Sequence, residues 1–183
     1  MREEVFLGGL GGQGVLLGGQ MLARAGMDRG LNVSWFPIYS PEVRGGYTTC
    51  TVVITDGRVG SPLAEHPGSM IIMDPSALRL FGDRAPEGGL VVLNSSLIEE
   101  DAVRDDVRKI WVPANDIAAD IGNDRVVNMT MIGAWAAATG ILSIEDITAS
   151  LKRMLPERHH KHMPANEAAL RRGADCAECL VDE

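Results

Sequence analysis

Among its 183 residues the chain has only three cysteines, Cys50, Cys176 and Cys179. An odd and widely spaced set excludes a disulfide framework. Iron–sulfur clusters ordinarily draw on about four thiolates, so this chain cannot hold one unaided. Cys176-x-x-Cys179 reads as a reduced, solvated pair or as a half-site completed by another chain. Aromatic residues make up 4 %, too few for a base-stacking surface along single-stranded nucleic acid. Basic residues are short as well: 17 Lys and Arg stand against 25 Asp and Glu, for a net charge of −8. Nucleic acid and anionic membranes would repel such a chain. No run of about 18 apolar residues is present to cross a bilayer. The apolar run after Met1-Arg2-Glu3-Glu4 is too short for a signal peptide. The expectation is a cytoplasmic protein with neither nucleic-acid nor membrane partner.

What is plentiful is apolar residues, 45 % of the chain, and glycine, 21 residues. That suffices for one core, and the chain reads as a single domain over 1–183. Val5-Phe6-Leu7 reads as a buried strand that stops at Gly8. Val15, Leu16, Met21, Leu22 and Ala25 recur at helical spacing, predicting a helix to about Asp28 with Gly30 as its stop. Asn32–Ile38 reads as a second strand ended by Pro37 and Pro41, and Thr48–Thr55 as a third. Met70–Met73, Leu90–Leu93 and Ile110–Val112 are further short strands, with short helices between them. Asn128–Ala138 is apolar nearly all round, which predicts a buried helix. Ser143-Ile144-Glu145-Asp146 is a capping box opening a helix to about Leu155. A short last helix covers Glu167–Arg172. Strands alternating with helices define a three-layer α/β domain with a mainly parallel sheet. Ligands of such sheets sit beyond the carboxyl ends of the strands, where both glycine-rich loops are expected to lie.

The first loop, Gly8-Gly9-Leu10-Gly11-Gly12-Gln13-Gly14, contains Gly9-x-Gly11-x-x-Gly14 between a strand and a helix. Glycines there let backbone N–H groups approach an anion, and the helix N-terminus offers a partial positive charge. A nicotinamide dinucleotide also needs an acid at the end of the second strand. Phe36-Pro37-Ile38-Tyr39-Ser40 supplies none. No Gly-Lys-Ser/Thr follows, so the loop is not a nucleoside-triphosphate cradle either. The alternative is a loop that only permits close helix–sheet packing. In the second loop, Glu42 and Arg44 precede Gly45 and Gly46. Arg44 suits bidentate contact with a phosphate or carboxylate, while a surface ion pair with Glu42 is the plainer reading.

GGLGGQG at the start, YSPEVRGG near residue 40 and NMTMIGA near residue 130 together resemble the gamma subunit of 2-oxoacid:ferredoxin oxidoreductases. The same unit is an internal domain of the large single-chain pyruvate enzymes. The resemblance continues through Val52–Asp56, Gly60-Ser61-Pro62, Leu93–Ser96, Val112-Pro113-Ala114 and Asn166-Glu167-Ala168, in the family's order. One departure is Ser40, where the family has the glycine of Tyr-Gly-Pro-Glu. The resemblance implies an enzyme that joins a 2-oxoacid to coenzyme A, releases CO₂ and reduces ferredoxin. It implies that this chain is not active alone and supplies no catalytic residue and no metal ligand. Thiamine diphosphate, Mg and iron–sulfur clusters would sit on partner alpha, beta and ferredoxin-like delta subunits. Coenzyme A would be a shared substrate, reaching Gly9, Gly11, Gly12, Gln13 and Gly14 with Glu42, Arg44, Gly45, Gly46 and Asn128. Asn128 has a second reading, as N-cap of the buried helix.

Other readings stay open. The beta-type subunit of indolepyruvate:ferredoxin oxidoreductase is similar in fold and loops. A stand-alone nucleotide-binding module and a structural clamp for companion subunits belong to other classes. The isolated chain could form a homodimer. Glu65-His66-Pro67 and His159, His160 and His162 raise the question of metal, but the latter lie in a polar stretch that reads as a solvated linker.

Overall fold

A computed structural model describes residues 1–39, 46–99 and 103–178. Glu42, Arg44, Gly45 and Cys179, with Ser40, lie outside the described residues.

The first strand, β1 (Arg2–Leu10), runs further than expected, through Gly8 and Gly9. Glycine is poor in strands, but here register decides. All nine residues pair antiparallel with β3 (Tyr47–Thr55), from Arg2 opposite Thr55 to Leu10 opposite Tyr47. On its other side β1 pairs parallel with β4 (Ser69–Ile72). β5 (Leu90–Asn94) and β6 (Arg108–Val112) continue the parallel part. β2 (Asn32–Tyr39) forms an antiparallel hairpin with β3 at the free edge. The order is β2-β3-β1-β4-β5-β6, mixed but mostly parallel, as expected. Pro37 does not end β2 as predicted. An edge strand needs donors on one side only, so a proline is tolerated.

Both faces of the sheet are covered, giving the three layers. Val5 and Leu7 face one core, shared with α1 (Val15–Asp28), α3 (Ala114–Ile121), α4 (Val127–Thr139), α5 (Ile144–Met154) and α6 (Met163–Glu178). Phe6 points the other way, into a smaller core under α2 (Pro75–Phe81). The alternation follows from the two-residue period of a strand. α5 opens with the expected capping box, Ser143 and Asp146 bonding each other's backbone.

α6 is much longer than the expected 167–172 segment because it packs along α4. A Cβ at Gly133 would lie 1.9 Å from the Leu170 carbonyl oxygen, and one at Gly173 1.9 Å from that of Thr130. The two backbones touch where side chains are absent, which explains why α4 is buried all round. The expected linker at 159–162 is a 3-10 helix, Glu157–His162, leading into α6. No helix among the described residues is long and apolar enough to cross a membrane.

Candidate functional site

With Gly8 and Gly9 inside β1, the loop contracts to the turn at 11–14, ahead of α1. Gln13 clasps it: its side-chain oxygen accepts from the Leu10 amide at 2.7 Å, and its own amide donates to the Leu10 carbonyl at 3.2 Å. Gly11 donates to the Gly46 carbonyl at 3.2 Å. The end of the second loop therefore lies against the first, on one edge of the sheet, as the strand order required. Gly14 occupies the N-cap position of α1 at φ +79 with no side-chain cap, and no acid stands in the first turn. Among the described residues, no side chain caps or neutralises the amides opening this 14-residue helix, an arrangement that favours an anion. Gly12, also at positive φ, is exposed beside them.

Asn128 is not an N-cap. That position belongs to Val126, which has no side-chain cap bond. Asn128, buried in the first turn of α4, instead donates from its amide nitrogen to the Gly14 carbonyl at 3.1 Å, while its oxygen accepts from the Met129 amide at 2.9 Å. It holds the loop rather than the helix end.

A cleft of about 380 Å³ opens beside the turn, lined by Gly12, Gln13, Gly14, Asn115, Asp124 and Arg125, among others. A second, of about 400 Å³, lies on the loop's other flank toward Tyr39 and Thr48. Asn115 is set by Asn94, fully buried at the end of β5. The Asn94 amide nitrogen donates to Asn115 at 2.8 Å and to the Met73 carbonyl at 3.2 Å. Arg125 is exposed and forms no ion pair with the described residues. Asp124 beside it carries the opposite charge into the same cleft. Sequence reasoning missed Asn115 and Arg125. The available signal was position: Asn123–Val126 immediately precedes the buried helix that carries Asn128.

The site thus joins Gly11, Gly12, Gln13, Gly14, Gly46 and Asn128 of the expected residues, with Gly9 beneath them in β1, where a Cβ would come within 2.5 Å of the Gln13 side-chain oxygen. Cys50 is buried on β3, where burial pushes its thiol up to about 12, so it is not a thiolate at neutral pH. Among the described residues no three His, Cys, Asp or Glu side chains converge as metal ligands.

The site is thus, among the described residues, a helix N-terminus without a side-chain cap that opens on a polar cleft holding an arginine, in an α/β domain. The chain belongs to the pyruvate ferredoxin/flavodoxin oxidoreductase family, whose model matches residues 4–176; it is the gamma-type unit of that family. It is 37 % identical over 143 residues to the ketoisovalerate oxidoreductase subunit VorA of Methanothermobacter marburgensis, covering 78 % of this chain and 30 % of that protein. It is 32 % identical over 163 residues to the 2-oxoglutarate synthase subunit KorC of the same organism, covering 85 % of this chain and 88 % of KorC. It therefore spans less than a third of VorA but most of KorC. A solved structure of 2-oxoglutarate:ferredoxin oxidoreductase from Magnetococcus marinus, with 2-oxoglutarate, coenzyme A and succinyl-CoA bound, shares its fold. There the TM-score is 0.89 at 20 % identity, over 97 % of this chain and 31 % of that one.

Proposed function

We propose that this chain is the gamma subunit of a thiamine-diphosphate-dependent 2-oxoacid:ferredoxin oxidoreductase, and that its glycine loop holds phosphate groups of coenzyme A. The observation that carries the reading is the uncapped start of α1 beside Gly12 and Gly14, with Arg125 across the cleft. Coenzyme A is an anion with a diphosphate, the group that backbone amides at a helix N-terminus bind best. The bound coenzyme A in the Magnetococcus marinus enzyme supports the same choice.

The chain's own work is binding and orientation. Gly12 and the first amides of α1 receive a phosphate, Arg125 balances its charge, and Asn128 keeps the Gly14 turn in place. Arg44 and Gly45, with Glu42, would complete the loop from the second strand's side. Thiamine diphosphate supplies the carbanion-stabilising chemistry. It would sit with Mg on partner alpha and beta subunits, and the clusters that pass electrons to ferredoxin would sit on partners including a ferredoxin-like delta subunit.

The test is to isolate the native assembly and follow reduction of a low-potential dye with several 2-oxoacids, with and without coenzyme A. Coenzyme-dependent reduction, together with a raised KM for coenzyme A in Arg44→Ala, supports the reading. Coenzyme-independent reduction with an aryl pyruvate moves the assignment to the indolepyruvate type, and a chain without partners overturns it.

A further inference from the structure

We propose that Asn115 donates from its side-chain nitrogen to the anion held at the glycine turn, and that Asn94 is the positioning residue that fixes this polarity. The proposal rests on the coenzyme reading above, in which that anion is a diphosphate.

Leu93–Ser96 and Val112-Pro113-Ala114 meet at the carboxyl ends of β5 and β6, where the Ser95 amide donates to the Val112 carbonyl at 2.9 Å. The first three amides of α3 are taken up by the β5 side. That of Ala114 donates to the Asn94 side-chain oxygen at 3.3 Å. Those of Asn115 and Asp116 donate to the Ser96 hydroxyl at 3.2 and 3.3 Å. The Ser96 hydroxyl donates in turn to the Asp116 carboxylate at 2.7 Å, which holds that charge beside Ser96. The backbone at the start of α3 therefore has no amide left for a ligand. What this helix contributes to the wall of the glycine cleft is the Asn115 side chain.

A carboxamide can turn over and present either nitrogen or oxygen, and Asn115 is exposed, so a buried neighbour decides. A backbone N–H can only donate, so the Ala114 amide fixes the oxygen of Asn94 on its own side. The Asn94 nitrogen then faces the other way, donating to the Met73 carbonyl at 3.2 Å and to the Asn115 side-chain oxygen at 2.8 Å. Asn94 is fully buried, so water cannot relieve a reversed arrangement. Asn115 must answer with its oxygen. Its nitrogen is left as a donor that makes no hydrogen bond among the described residues. A donor of fixed sign beside the start of α1 suits a group that only accepts, and an ionised phosphate is such a group. Asn115, Arg125 and the first amides of α1 then bring donors to the cleft from three separate segments.

Two substitutions at Asn115 make the test, because an exposed position should tolerate both. Asn115→Ala removes the donor. Asn115→Asp keeps an oxygen for the Asn94 nitrogen but turns an acceptor toward the anion. Affinity of the full chain for coenzyme A and for inorganic diphosphate is measured by calorimetry, and KM and kcat in the native assembly. Asn115→Ala should weaken both ligands about tenfold, the low end for a hydrogen bond to a charged group, and raise KM with kcat little changed. Asn115→Asp should bind more weakly again, and the deficit should persist in salt concentrated enough to screen a distant charge. A side chain that served only to satisfy Asn94 gives the opposite order, with Asp equal to wild type and Ala the weaker, and that order overturns the proposal. The thermal midpoint of Asn115→Asp reads the polarity of Asn94. A midpoint near wild type is expected, and a marked fall would mean that Asn94 presents its oxygen, against the proposal. Asn94→Asp, which must draw the Asn115 nitrogen inward, should lower affinity in the wild-type background and no further in Asn115→Ala. Equal losses in both backgrounds overturn the positioning role, and if this variant does not fold the Asn115→Asp midpoint still decides it. Coenzyme A binding that ignores both Asn115 variants overturns the proposal while the coenzyme reading stands. Absence of coenzyme A binding, in the chain and in the native assembly, overturns both.

Discussion

The side-chain amide of Asn128 donates to the carbonyl oxygen of Gly14 across 3.1 Å, tying the first turn of α4 to the last residue of the glycine turn. Replacing Asn128 by Ala removes this bond but leaves the Gly14 carbonyl accepting the Gly18 amide at 2.9 Å, so the cost should be that of one hydrogen bond, about 0.5–1.5 kcal/mol. Asn128→Asp should be worse, since it turns an acceptor, and a charge, toward another acceptor in a buried place. Urea unfolding of the two variants should rank Asp below Ala below wild type.

Gly14 and Gly12 both adopt positive φ, but only Gly14 is crowded. A Cβ at Gly14 would meet the Asn128 amide nitrogen at 2.6 Å, whereas one at Gly12 meets nothing within 4 Å. Gly12→Ala should therefore cost only the left-handed backbone penalty, about 1–2 kcal/mol. Gly14→Ala should cost more and displace Asn128 as well. In the native assembly its KM for coenzyme A should rise further than that of Gly12→Ala, and steady-state kinetics on both variants checks the ordering.

The contact between α4 and α6 leaves no room for a methyl group at Gly133 or Gly173. Either Gly→Ala change must prise the helices apart, and losses of about 3 kcal/mol or more are expected, at the top of the overpacking range. The double variant should lose less than the sum, because the first substitution already opens the interface the second would strain. Chemical denaturation of the two singles and the double measures this coupling.

Trp135 donates to the Ser69 hydroxyl at 2.7 Å, which donates in turn to the Glu3 carboxylate at 2.5 Å. Burial pushes the Glu3 pKa up and neighbouring Glu4 adds to this, while the Ser69 bond partly offsets it. The folded state therefore holds the Glu3 proton more tightly than the unfolded chain. That contribution is fully present below the ordinary glutamate range and is lost as pH rises through the raised value. Glu3→Gln should match wild type near pH 4 and exceed it near pH 8. Thermal midpoints across this interval check the sign; a gap that grows toward acid would contradict it.

Much of the architecture was legible because it follows from local periodicity. The strands from Ser69 onward, the helix from Val15 to Asp28 and the Ser143 cap fall where apolar spacing and capping chemistry place them. What was not legible depends on distant partners. Gly8 and Gly9 read as strand breakers, yet pairing with Thr49 and Thr48 extends β1 over both. The length of α6 is set by α4, which no local pattern in 163–178 announces. The antiparallel β2–β3 hairpin was not among the expectations, although the connection between its strands is too short for a parallel crossover. At the site, the glycine turn was visible as a motif, but Asn128 reads equally well as a cap until the fold brings Gly14 beside it. Arg125 carries no sequence motif and joins the glycine turn only where the approach to α4 meets the start of α1.

The tie between Gly14 and Asn128 spans 114 positions of the chain. During synthesis the glycine turn emerges long before the residue that fixes it, and β1, α1 and the hairpin can assemble while the turn is still unanchored. At roughly 5–20 residues per second, several seconds separate the two arrivals. A nascent chain therefore passes most of its time on the ribosome with the sheet begun and the binding edge unfinished. The turn's final geometry is thus set late in synthesis, by the order in which the residues are made.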